Sequence, residues 1–162
     1  MSRVMTFSRV FPAHHPRKGQ TTFFVEKFTK SIQLLDYDRI DMPDELDFDL
    51  GMYHLCDPKD HTIRVGNRWK VGDKFSPRVW SGKPYQSKQI IIGPDIEVKK
   101  VWTFEILNFG YAVDGCFKSY NELKIIAAND GLTVDDFECW FNVKKNEVFK
   151  GQIICWNDKI DY

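Results

Sequence analysis

Between Ile96 and Ile106 the chain alternates with the period of a strand. Ile96, Val98, Trp102, Phe104 and Ile106 share one face, and Glu97, Lys99, Thr103 and Glu105 share the other. Successive strand side chains point to opposite sides of a sheet, so this pattern demands a sheet with one covered face and one wetter face. Glu97 is therefore not a core residue of its own strand. Lys100 alone breaks the alternation, the mark of a bulge, a register change or a lysine stem laid along apolar surface. A second run, Val148 to Trp156, is apolar at Ile153, Ile154 and Cys155 in succession. A strand apolar on both faces belongs at the centre of a sheet.

Helices flank these strands instead of alternating with them, which gives the α+β class. Thr21 or Thr22 can cap a first helix in which Phe24, Val25, Phe28 and Ile32 fall at helical spacing and Glu26 faces Lys30 as an i,i+4 pair. Ser119 and Glu122 have capping-box spacing ahead of Leu123, Ile125 and Ile126, and Asn129-Asp130-Gly131 supplies the stop. Thr133 opens another helix, with Asp136 near its positive end and Phe137, Trp140 and Phe141 as its apolar stripe. Phe137, Trp140 and Ile153 are expected to be buried together. Met5 to Phe11 reads as an opening strand, and Thr62 to Val65 as a short strand with Thr62 and Arg64 on one side.

At 162 residues and 43% hydrophobic content the chain can bury one sizeable core, so residues 1–162 read as one domain. No apolar run is long enough to cross a bilayer and the first residues lack a secretory pattern, so a soluble, cytoplasmic protein with no membrane partner is expected. Cys56, Cys116, Cys139 and Cys155 are widely spaced and read as reduced. His54, Cys56 and His61 lack standard metal-ligand spacing, and the acids from Asp41 to Asp49 do not follow a calcium loop. No metal or other cofactor is called for.

The formal net charge is zero, but it is unevenly spread. Residues 36–57 hold eight acids against one base, an acidic loop at −7, and residues 59–100 hold ten bases against four acids, a segment at +6. Trp69, Trp80 and Tyr85 are interleaved with Arg64, Arg68, Arg78, Lys83 and Lys88, the mixture a base-stacking, phosphate-binding surface requires. A solvated basic face whose aromatics serve the core has the same composition.

Lys59-Asp60-His61-Thr62-Ile63-Arg64, the Gly72-Asp73 turn and Ile96-Glu97-Val98 together resemble the signature of ASCH domains, of the PUA-like class. The resemblance extends to the Phe-rich first helix, the Asn129-Asp130-Gly131-Leu132 junction, Trp140-Phe141 and the closing Gly151 to Trp156 segment, in the order of larger bacterial and phage members. The resemblance implies a mixed β-barrel with flanking helices and a cleft for RNA or a modified nucleoside. In the branch that removes the acetyl group from N4-acetylcytidine, it carries the catalytic lysine, threonine and glutamate to Lys59, Thr62 and Glu97. A desolvated lysine can accept the proton of a threonine hydroxyl, and a carboxylate can orient the ammonium. Two departures bear on the ligand: the acidic loop at 36–57 and the basic insertion at 76–89 exceed a minimal domain and can reshape the cleft.

Three functions follow as expectations. The first is binding of RNA or a modified nucleoside, with Arg64, Arg68, Arg78, Lys83 and Lys88 toward phosphate and Trp69, Trp80 or Tyr85 stacking on a base. The second is metal-independent amide hydrolysis by Lys59, Thr62 and Glu97. The third is a regulatory protein-interaction role in which the acidic loop mimics nucleic acid or masks the basic cleft.

Overall fold

Apolar runs and alternating runs end in different places in the computed structural model, which describes residues 1–162. The run apolar on both faces becomes strand β9 (Phe149–Cys155), held between β2 (His61–Val65) and β6 (Lys100–Leu107). Ile153, Ile154 and Cys155 are fully buried there. β7 (Gly110–Val113) and β8 (Cys116–Phe117) extend this antiparallel sheet beyond β6. A second sheet centres on β3 (Lys74–Trp80), which pairs parallel with β1 (Arg3–Thr6) and antiparallel with β4 (Gln89–Ile91) and β5 (Ile96–Glu97).

The alternation breaks at Lys100 because the chain changes sheets just before it. β5 ends at Glu97 on β3, and β6 begins at Lys100 on β9. Between them the Val98 amide donates to the Asp73 carbonyl at 2.8 Å and the Lys99 amide to the Cys155 carbonyl at 2.8 Å. One apolar face thus serves two sheets that share a core. Strand pairing runs as two open sheets, without closing into one ring.

Helix α1 (Phe24–Leu34) lays Phe28 against Phe7 and Trp156, at ring centroid distances of 5.2 and 5.4 Å. Its N-cap is Phe23, in the left-handed region at φ 57°, and neither threonine caps it from the N-cap position. Thr22 instead donates its hydroxyl to the Ser8 carbonyl at 2.7 Å. Beyond Phe7, whose amide still donates to the Arg78 carbonyl at 2.8 Å, the chain leaves β3 and pairs locally, Val10 opposite Thr21, so the opening strand stops at Thr6. Glu26 and Lys30 do not pair: Lys30 donates to the Cys56 and His54 carbonyls, at 2.5 and 3.0 Å.

The acidic loop carries a 3-10 turn at Asp44–Leu46 and a short helix α2 (Leu50–Leu55), whose N-cap Asp49 accepts the Met52 amide at 2.9 Å. Near the C-terminus α3 (Tyr120–Asn129) has the Ser119/Glu122 capping box, and Gly131 turns the chain at φ 84°. Only a residue without Cβ adopts that angle at little cost. In α4 (Val134–Phe141) Phe137 is fully buried, as is Ile153, whereas Trp140 is half-buried at the core's edge against Phe11 and Phe24. No helix is long and apolar enough to cross a membrane.

Candidate functional site

Lys59 enters the interior because its backbone is held from two sides. Its amide donates to the Lys27 carbonyl of α1 at 3.0 Å, and the next amide, Asp60, donates to the Asn129 carbonyl of α3 at 2.8 Å. The residue is 1% exposed. Its Nζ donates to the carbonyl oxygen and to Oδ1 of Asp130, both at 2.5 Å, and lies 4.5 Å from the Phe24 ring centroid and 5.9 Å from that of Phe7. Burial pushes Lys59 below its ordinary value of 10.5 and Asp130 above 3.8, while their mutual attraction opposes both shifts. Each group is pressed toward its neutral form.

Thr62 is buried in β2 opposite Ile154, and Arg64, two residues on, donates to the Thr6 carbonyl. Glu97 does not join them. The sheet change places it opposite Lys74 on β3, where its side chain is 42% exposed and takes Lys99 Nζ at 3.0 Å. No hydrogen bond or ion pair links Glu97 to Lys59 or Thr62. The carboxylate that meets Lys59 is Asp130, which reads in sequence only as part of a helix stop. Its one local signal is an acid at a helix C-terminus, where the macrodipole disfavours negative charge. His61 lies beside this pair, fully buried, with Nδ1 3.9 Å from Asp130 Oδ1. Burial first, then the Lys59 charge, push it well below 6.5, so its ring is neutral.

A cavity of about 570 Å³ opens near the same aromatics. Phe7 and Phe24, which lie against Lys59, are among its lining residues. One wall is residues 7–10 with the start of α1, Phe23 to Glu26. The acidic loop supplies Leu46, Asp47 and Asp49, and the basic insertion supplies Trp80, Gly82 and Pro84. The acidic loop and the basic segment at 76–89 therefore face each other. Lys88 Nζ meets Glu45 Oε1 at 2.8 Å, and the Arg9 guanidinium donates to the Ser81 and Leu46 carbonyls, each at 3.2 Å.

Inside the cavity Arg9 is the one cation against three carboxylates, Glu26, Asp47 and Asp49. Glu26 is 4% exposed; its Oε1 accepts the Asp49 amide at 2.9 Å, and it forms no ion pair. Arg9 and Glu26 carry no sequence signal of this role, since the residues that bring them together lie tens of positions apart.

The basic and aromatic candidates divide into groups. Trp80 packs on Tyr85 at 5.2 Å, and Lys83 lies between the lining residues Gly82 and Pro84. Lys88 is held by Glu45, Arg64 by Thr6, and Arg78 by Ser76 Oγ and Gln89 Oε1 at 3.2 Å each. Arg68 and Trp69 stand on the loop after β2, against Arg3: its Nη1 reaches the Arg68 carbonyl at 2.5 Å, and its guanidinium lies 5.2 Å from the Trp69 ring. Compared with known protein families, curated proteins and solved structures, the chain matches none.

Proposed function

We propose that this chain is a nucleoside- or RNA-binding domain of the ASCH, PUA-like type, and that its cavity takes the base. The observation that carries this reading is the lining: Trp80 and Phe23, both half-buried, offer aromatic surface, and carboxylates stand beside them as acceptors for amino and ring N–H groups. A volume of about 570 Å³ suits a small ligand. The negative local balance favours a base over a phosphate inside, leaving phosphate to Lys83 and its neighbours at the mouth. Motif order, together with two sheets sharing one core, supports the PUA-like assignment.

The test is titration of tryptophan fluorescence with nucleosides, mononucleotides and short single-stranded RNA. Trp80→Ala should weaken binding by about tenfold, since stacking contributes roughly 1–3 kcal/mol per base. Absence of binding by every one of these ligands would refute the proposal.

Amide hydrolysis stands as a second reading: burial presses Lys59 toward the neutral amine that a proton acceptor must be, although its Nζ hydrogen bonds go to Asp130 and none to Thr62, so substrate binding would have to bring the two together. Asp130 would then hold the place that the resemblance gives to Glu97. In that chemistry Thr62 Oγ attacks the amide carbon, Lys59 takes the hydroxyl proton, the amine departs with a proton, and water releases the acyl group. Turnover of N4-acetylcytidine, abolished by Thr62→Ala, is the outcome this reading requires.

A further inference from the structure

We infer that the cavity selects a nucleobase bearing a positive charge, such as a ring-N-methylated adenine or cytosine, over its neutral parent. The inference rests on the base-binding reading above. It starts from Glu26, a carboxylate 4% exposed on the cavity wall with one amide hydrogen bond and no ion pair. A buried charge without a counter-charge is costly. The N-terminus of α1 beside it supplies only about half an elementary charge. Arg9, the one cation among the lining residues, directs its guanidinium to the Ser81 and Leu46 carbonyls. Asp47 and Asp49 add two more carboxylates on the facing wall. A cation in the cavity would therefore meet a field that its own binding neutralises.

The aromatic lining narrows the kind of cation. Trp80 and Phe23, the half-buried aromatics of the lining, present π surface, which attracts positive charge through the ring quadrupole. A planar ring carrying the charge satisfies stacking and electrostatics at once. A phosphate inside would oppose three carboxylates, so the charge that is recognised belongs to the base.

The experiment is calorimetric titration of the intact chain, near neutral pH and at low salt, with 1-methyladenosine and 3-methylcytidine against adenosine and cytidine. N6-methyladenosine, which has the methyl group without the charge, serves as the steric control. The cationic nucleosides should bind about tenfold tighter than their parents, a cation–π and charge contribution of ordinary size, and N6-methyladenosine should behave as adenosine does. Glu26→Gln should shrink the ratio toward one. Asp47→Asn, at an exposed left-handed position that asparagine also tolerates, should shrink it in part and carries the test if Glu26→Gln fails to fold. Equal binding of charged and neutral nucleosides, or a ratio unchanged in both variants, overturns charge selection and leaves base binding standing. No binding by any nucleoside overturns both.

Discussion

Neutralising Asp130 tests whether the Lys59–Asp130 pair organises the interior. Asp130→Asn keeps a side chain suited to the end of α3 and removes only the charge. Lys59 Nζ would retain the main-chain carbonyl it now holds at 2.5 Å and the Phe24 ring at 4.5 Å, and would face a neutral amide in place of the carboxylate oxygen at 2.5 Å. Removing one partner of a buried pair costs roughly 3–5 kcal/mol, and the acceptors that remain place this variant at the lower end, about 3 kcal/mol. For a chain of this length that is a fall in Tm of about 6 to 12 °C. Urea unfolding, followed through the buried Trp156, measures it.

The pH dependence of that deficit has a definite sign. Lys59 already titrates below 10.5 in the folded chain, and loss of the Asp130 charge lowers it further. Across the interval from the folded value up to 10.5 the unfolded chain binds more protons than the folded one, so stability there rises with pH. The deficit of Asp130→Asn should therefore narrow as pH is raised from neutral toward 10.5. Lys59→Met combined with Asp130→Asn should recover most of the loss, because an apolar side chain of similar length leaves no uncompensated charge. A deficit under about 1 kcal/mol, the scale of a solvated pair, would refute the reasoning.

Gly151→Ala should destabilise by on the order of 3 kcal/mol in urea unfolding, because its Cβ would lie 2.3 Å from the Arg64 carbonyl oxygen on a central strand with no room to shift. Lys88→Ala should change stability by less than about 1 kcal/mol, since the partners in its ion pair are 67% and 43% exposed. The same variant should speed nucleoside association in stopped-flow measurements, because the pair ties the two loops that wall the cavity.

What could be read from the sequence was local. The capping box at Ser119, the Thr133 cap and the glycine stop each depend on residues within four positions, and each forms. β9 was legible because three successive apolar residues can be satisfied only at a sheet's centre. Glu97 misleads because only Lys100 interrupts an alternation that runs on to Ile106, and a bulge or a lysine stem leaves the same mark as the change of sheet at Val98 and Lys99. Asp130 was invisible as a partner because the contact spans 71 residues and depends on α3 ending beside the segment before β2. The cavity depends on two long loops meeting, which no periodicity encodes.

The opposed charge runs also change what RNA binding should look like. Read separately, the acidic loop and the +6 segment suggest an extended phosphate-binding face with a steep salt dependence. Folded together they partly cancel. Lys88 is paired with Glu45, Arg64 with the Thr6 carbonyl, and Arg78 with Ser76 and Gln89, which leaves Arg68 and Lys83 as the exposed cations without a partner among the five phosphate candidates. For single strands each neutralised phosphate contributes a slope of about −0.7 in log K against log salt, so two contacts give roughly −1.4. The affinity of a short single-stranded RNA, measured from low to physiological salt, should fall with that shallow slope. Lys83→Ala should halve it, with little change in base preference. A slope as steep as about −3 would mean that at least four phosphates are met, and hence that the Lys88–Glu45 pair opens when RNA binds. That result would sink the view of the loops as fixed walls and make the acidic loop a competitor for the same basic residues.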